Sequence, residues 1–158
     1  MSELPIIELR RIEANIIKPI YEEMAAELGE EKARRILGSA IRKAAIEQGR
    51  TLAAASEEPA GIAGFAKLLE RWTANDALRI EVLEQDDERF DFNVVRCRYS
   101  EMYREMGLGD IGALLSCNRD GAFCEGYDER LKLSRPQTIM SGASHCNFRY
   151  RWREQGRE

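Results

Sequence analysis

The sequence lacks any unbroken apolar run that approaches the roughly 18 residues needed for a membrane-spanning helix. Its first residues, MSELPIIELRR, carry early acidic side chains and no apolar segment followed by a cleavage site, so we do not expect a signal peptide. We therefore expect a cytoplasmic protein with no membrane partner, in which cysteines remain free thiols.

The sequence also has no excess of positive charge, because it contains 24 Lys and Arg residues and 28 Asp and Glu residues, which gives a net charge of −4. A general nucleic-acid binder needs a basic face, so we expect no nucleic-acid partner. The sequence has no phosphate loop, no G-x-G-x-x-G and no G-x-S-x-G motif. We therefore expect no cofactor, and a serine hydrolase is disfavoured.

Histidine occurs once, as His145, and none of the four cysteines forms a C-x-x-C pair. Cys97, Cys117 and Cys146 are separated by 20 and 29 residues, whereas structural zinc sites take ligands from tight turns. We assign no metal site and keep a zinc-binding interaction domain as a third hypothesis. Each cysteine alone, including Cys124, is also typical of a small buried apolar residue.

The first half of the chain has helical periodicity. The 158 residues, 44% of them apolar, suit one domain with its own core. Apolar residues spaced by three and four predict helices over residues 8–28, 30–54 and 62–73, with a loop at 56–61. Pro19 is expected to kink the first helix. The face of that helix predicted to be buried comprises Leu9, Ile12, Ile16, Ile20, Met24 and Leu28.

The second half changes to strand periodicity. Residues 78–82 and 90–94 alternate between apolar and polar side chains around a turn, which predicts a β-hairpin. Further along we predict two short helices at 99–106 and 109–116, followed by a link at 121–126 that contains a short strand at 122–124. Two more strands are predicted at 131–133 and 145–152. The predicted fold is α+β, with N-terminal helices packed on a small antiparallel sheet. We expect one domain over residues 1–158, with a helical layer at about 8–75 and the sheet and site at about 78–152.

The segment Cys117-Asn-Arg-Asp120 is the first candidate catalytic site. Arg119 could favour a thiolate at Cys117, and Asp120 could transfer a proton. The alternative is a packed cysteine, with Asp120 capping a turn. His145 and Cys146 are the second candidate pair, with His145 as a base of near-neutral pKa. Neighbours on a strand face opposite ways, so only one of the two can enter a given pocket.

The candidate binding residues flank these two segments. Cys97 is predicted between a strand and a helix, where it could border the same pocket. Arg96 and Arg149 are candidates to hold a substrate carboxylate, because a guanidinium fork matches that group. The alternative is an arginine on a solvated strand face. Asn147 and Tyr103 complete the predicted binding set.

Three segments carry a resemblance to a known family: RRIEANIIKPIYEEMAAELGEEKARRIL, VVRCRYSEMYREMGLGDIGALLSCNRD and TIMSGASHCNFRYRW. With them the chain resembles the L-2-amino-thiazoline-4-carboxylic acid hydrolase family. The residues that carry it are Cys97, Gly107, Cys117, Asp120, Gly142, Cys146, Phe148 and Arg149. Asn147 is a departure, since relatives often have aspartate there. The ending also resembles small-molecule-binding sensor domains of the vinyl-reductase-like type, which offers a non-enzymatic alternative.

The family resemblance implies a ring-opening hydrolysis of a small carboxylate-bearing heterocycle. Water adds at the amidine-like carbon of 2-aminothiazoline-4-carboxylate, the carbon–sulfur bond breaks, and N-carbamoyl-cysteine results. Cys117 would be the nucleophile or would position water, and Asp120 would act as general acid and base with help from Cys146. Another cyclic amidine or a lactam-like ring would need similar groups. The sequence leaves open whether the chain forms a homo-oligomer, and the alanine-rich second helix and Trp72 are the interface candidates.

Overall fold

The computed structural model describes residues 4–153, and in this range helices cover one face of a four-stranded antiparallel sheet. The elements are α1 (Ile6–Leu28), α2 (Glu30–Ala55), α3 (Ile62–Thr73), β1 (Leu78–Gln85), β2 (Arg89–Cys97), α4 (Arg98–Glu105), α5 (Asn118–Tyr127), β3 (Leu131–Ser134) and β4 (Cys146–Trp152). A 3-10 turn (Ala74–Asp76) precedes β1, and a π-helical turn (Ala113–Cys117) leads into α5. The predicted α+β fold class is confirmed. No helix within residues 4–153 combines the length and apolarity that crossing a membrane requires.

The sheet has the strand order β1-β2-β4-β3, so the last strand lies between the hairpin and β3. The predicted hairpin of β1 and β2 is confirmed, and Asp86 closes its turn by accepting backbone N–H bonds from Glu88 and Arg89. In the pairing of β2 with β4, Val94 lies opposite Cys146. This register places Cys146 at the start of an interior strand, with its side chain buried on the covered face of the sheet.

The predicted buried face of α1 is wrong. The side chains that α1 buries include Ile7, Arg10 and Ala14, whereas Ile16 is 63% exposed. Four of the six residues predicted to be buried are exposed: Ile12, Ile16, Ile20 and Leu28. The helix carries two apolar stripes, and the one that faces the core is interrupted by an arginine. α1 continues through Pro19 as a single helix.

The predicted link at residues 121–126, with its short strand, is also wrong, because these residues belong to α5. Gly126 is a point of close contact between helices, since a Cβ there would lie 1.8 Å from the carbonyl oxygen of Ile46. A Cβ at Gly49 of α2 would similarly lie 2.3 Å from the carbonyl oxygen of Phe123. The glycines that suggest a loop in the sequence instead let α5 pack against α2.

Aromatic rings fill the space between α3, α5 and the sheet. Phe92 and Phe148 stack across β2 and β4 with ring centroids 4.9 Å apart, and Phe65 of α3 lies 4.7 Å from Tyr150. Trp72, an interface candidate in the sequence, instead packs against Phe123 with centroids 5.3 Å apart. This aromatic core forms one wall of the cavity described next.

Candidate active site

A cavity of about 60 Å³ lies between the helical layer and the covered face of the sheet. Cys97 at the end of β2, Cys117 in the π-helical turn, Asp120 in the first turn of α5 and Cys146 at the start of β4 all line it. A cavity of roughly 10–15 Å³ can hold one buried water molecule, so this larger space suits a small ligand. We call it the thiol chamber.

Local geometry explains why these side chains converge. Cys117 and Asp120 are three residues apart in consecutive helical turns, so they lie on neighbouring positions of one helix face. On β4 the odd and even positions alternate between half-buried and buried, and Cys146 belongs to the buried set. The backbone N–H of Ile139 donates to Cys146 Sγ at 3.2 Å, which fixes the thiol at the cavity wall.

Asp120 is the carboxyl group of the thiol chamber. It forms an ion pair with Arg135, whose second nitrogen donates to the carbonyl oxygen of Cys117 at 3.1 Å. Burial raises the pKa of Asp120 from 3.8 to about 6, although the guanidinium of Arg135 acts in the opposite direction. A carboxyl that titrates near neutrality suits a general acid and base.

The three cysteines of the thiol chamber are neutral thiols at neutral pH. Burial raises the pKa of Cys117 to about 12, and the nearby carboxylate of Asp120 adds to this effect. Burial also raises the pKa of Cys97 and of Cys146. Arg119, which the sequence suggested as a thiolate partner, instead donates to the carbonyl oxygen of Leu115 at 2.7 Å.

Two buried arginines line the same chamber, and the sequence did not reveal Arg10 as a site residue. Arg10 is 3% exposed and Arg119 is 8% exposed. Both donate to Glu13 Oε1, Arg10 at 3.0 Å and Arg119 at 3.3 Å, and Arg10 also donates to Gln48 at 3.1 Å. The only signal for Arg10 in the sequence is its spacing, three residues after Ile7 on the buried stripe of α1.

Three predicted site residues of the last strand region lie outside the cavity. Asn147 and Arg149 alternate with the buried residues of β4, and His145 lies in the bend that precedes this strand. His145 lies 2.9 Å from Ser144 Oγ through Nδ1, and Asn147 accepts an N–H bond from Gln137 at 3.0 Å. Arg149 donates to the carbonyl oxygen of Phe92 at 3.0 Å. His145, Asn147 and Arg149 therefore do not meet Cys117 and Asp120.

Two further predicted binding residues lie near the chamber without lining it. Arg96 precedes Cys97 on β2 and forms ion pairs with Glu101 at 3.2 Å and Asp76 at 3.8 Å. Tyr103 is fully buried behind the wall, and its hydroxyl is hydrogen-bonded to Ser116 Oγ at 2.6 Å. Ser116 itself lines the chamber, so Tyr103 can act on the site only through that hydroxyl.

A second cavity of about 40 Å³ adjoins the thiol chamber and shares part of its lining, including Arg10, Arg119 and Asp120. Its other walls are largely aromatic and are formed by Phe65, Phe92, Phe123, Phe148, Tyr150 and Trp72. We call it the aromatic chamber. A ligand at Asp120 can therefore place an apolar group among these rings.

No group of three or more His, Cys, Asp or Glu side chains within residues 4–153 is arranged to hold a metal ion.

Comparisons with known proteins identify the family of the chain and a solved structure with a similar fold. The sequence model of a family described as L-2-amino-thiazoline-4-carboxylic acid hydrolase matches residues 9–150. A search of the curated proteins finds no match. Among solved structures, the chain is similar to the crystal structure of the phenol-responsive sensory domain of the transcription activator PoxR with phenol. The TM-score is 0.52 at 13% identity, over 96% of this chain and 76% of that one, which shows a shared fold alone.

Proposed function

Since the chain belongs to the L-2-amino-thiazoline-4-carboxylic acid hydrolase family, we propose that it hydrolyses a small carboxylate-bearing cyclic amidine and opens its ring. The observation that supports this proposal most is the position of Asp120, a carboxyl with a pKa of about 6 inside a cavity lined by three thiols. The reference substrate is 2-aminothiazoline-4-carboxylate.

In the proposed reaction, ionised Asp120 takes a proton from a water molecule, whose oxygen bonds to the ring carbon between nitrogen and sulfur. Asp120 passes this proton to the ring nitrogen of the carbon–nitrogen double bond, which gives a tetrahedral intermediate. Asp120 then removes the hydroxyl proton of the intermediate, the carbon becomes a urea carbonyl as the carbon–sulfur bond breaks, and Asp120 delivers that proton to the leaving sulfur. The product is N-carbamoyl-cysteine, which differs from the substrate by one water.

Cys117 acts in this proposal as a neutral thiol that positions the water molecule or donates a hydrogen bond to the leaving sulfur, with help from Cys146. A pKa of about 12 leaves very little thiolate at neutral pH. Covalent attack by Cys117 would need Asp120 to remove its proton first. We therefore favour the water-positioning role over the nucleophilic one.

The substrate carboxylate is proposed to bind at Arg10 and Arg119 rather than at Arg96 or Arg149. Arg10 and Arg119 are buried and border both chambers. A guanidinium fork recognises a carboxylate through paired N–H bonds, and such bonds are strongest where water is excluded.

The experiment that tests this proposal compares Asp120→Asn with Asp128→Asn in turnover of 2-aminothiazoline-4-carboxylate. Asp128 is a matched control, because it lies at the other end of α5 and forms its own ion pair with Arg130. We expect Asp120→Asn to lose about 10²–10⁴-fold in turnover and Asp128→Asn to retain activity. Equal activities in the two variants would contradict the proposed acid–base role.

The second candidate function is a small-molecule sensor without turnover. The aromatic chamber favours it, because aromatic walls suit an apolar ligand. The similar PoxR structure is described as a phenol-responsive sensory domain. Thermal stabilisation by phenol, with no product from the thiazoline, would support this candidate over the hydrolase.

A further inference from the structure

We propose that Glu13 is a built-in counter-ion of the Arg10–Arg119 pair, and that the carboxylate of a bound ligand takes its place. The two arginines and Glu13 form a closed anion site when no ligand is present. The proposal rests on the proposed function only for the identity of the ligand, a small cyclic monocarboxylate.

The contacts of Glu13 show that one carboxylate oxygen serves both guanidinium groups. Oε1 of Glu13 accepts from Arg10 Nη1 at 3.0 Å and from Arg119 Nη2 at 3.3 Å. Arg10 Nη1 also donates to Oε2 of Glu13 at 3.3 Å. The other hydrogen-bond partners of the arginines are neutral, since Arg10 donates to Gln48 and Arg119 to the carbonyl oxygen of Leu115. The carboxylate of Glu13 is therefore the anion that holds this site together.

The charge around the chambers favours an added monoanion. Arg10, Arg119, Arg135 and Asp120 are the charged side chains that line the chambers within residues 4–153. Arg135 is paired with Asp120, so Arg10 and Arg119 share the single charge of Glu13. One positive charge is left over, which a ligand carboxylate can neutralise.

The exposure of the three side chains indicates that Glu13, and not either arginine, can leave the ion-paired cluster. The side chain of Glu13 is 40% exposed, whereas those of Arg10 and Arg119 are 3% and 10% exposed. A carboxylate at the solvent edge regains hydration when it swings outward, but a buried guanidinium has no such route. Exchange of Glu13 for a ligand carboxylate therefore keeps both arginines paired throughout.

The test uses thiazolidine-4-carboxylate, which lacks the amidine carbon and cannot be ring-opened by the proposed reaction, together with its neutral 4-carboxamide. Binding to wild type and Glu13→Gln is measured by calorimetry at fixed ionic strength. Glu8→Gln is the matched control, because Glu8 is a similarly half-exposed glutamate of α1 that pairs with Arg11 and does not line either chamber. If Glu13 occupies the arginines about 90% of the time, its removal strengthens carboxylate binding about tenfold. Binding of the carboxamide should stay unchanged, and Glu8→Gln should behave as wild type.

A Glu13→Gln protein that binds the carboxylate no more tightly than wild type, or that gains equally for acid and amide, would overturn the proposal. Glu13→Asp serves the same comparison if the first variant does not fold, because its shorter side chain competes less well for both arginines. Turnover plays no part in this readout. Failure to hydrolyse the thiazoline would therefore remove the proposed function and leave the anion site standing.

Discussion

The assignment of Asp120 as general base predicts a specific pH dependence of kcat/KM. Burial raises the pKa of this carboxyl to about 6, and only the ionised form can accept a proton from water. The rate constant should therefore rise as pH increases through about 6 and level off above it. A thiolate mechanism would place the rising limb near the pKa of Cys117, about 12.

Between pH 5 and pH 9 the two mechanisms predict very different changes in rate. With a pKa of about 6, the ionised fraction of Asp120 grows from about 9% at pH 5 to about 90% at pH 7, roughly a tenfold rise in rate. A carboxyl with its ordinary pKa of 3.8 would give an almost flat profile there. Attack by a Cys117 thiolate would instead give about a hundredfold rise between pH 7 and pH 9.

The assay is the initial rate of thiol release at low substrate concentration across this range, with the ionisation of the substrate amidine titrated separately. Arg135→Gln provides the second perturbation. The guanidinium of Arg135 favours the ionised form of Asp120, so its removal should move the rising limb to higher pH. A profile that is flat from about pH 5 to 7 and climbs steadily above pH 7 would refute the general-base assignment.

Two further predictions concern the thiols and the opposite face of the sheet. Cys117→Ser should keep activity within about tenfold if the side chain only positions water, whereas steady-state kinetics should show a loss of several orders of magnitude if it is the nucleophile. His145→Ala and Arg149→Gln should each leave kcat/KM near the wild-type value, because both side chains lie outside the chamber. A large loss in either variant would place the chemistry on the other face of β4.

Much of the fold could be predicted from local periodicity. The alternation along β4 correctly separates Cys146 from Asn147 and Arg149, because a strand turns successive side chains to opposite faces. The rotation of α1 could not be predicted in this way. Its stripe of Ile12, Ile16 and Ile20 is more regular than the stripe that is buried, and only tertiary packing selects between them.

The parts of the site that the sequence did not reveal depend on contacts between distant elements. Glu13, Gln48 and the carbonyl oxygen of Leu115 accept hydrogen bonds from the buried Arg10 and Arg119, whereas a charged residue in a helix otherwise indicates a solvated face. The helical state of α5 likewise depends on the close approach of Gly126 to α2. Local propensity favours a turn at such glycines.

The most direct test of the central claim is repeated thiol release from 2-aminothiazoline-4-carboxylate by the wild-type protein, with the product identified by mass. We expect free thiol to exceed the four cysteines of each chain many times over, and the product to be heavier than the substrate by one water. Folded protein that releases no new thiol, while phenol or thiazolidine-4-carboxylate still stabilises it, would contradict the hydrolase assignment and leave a binding domain.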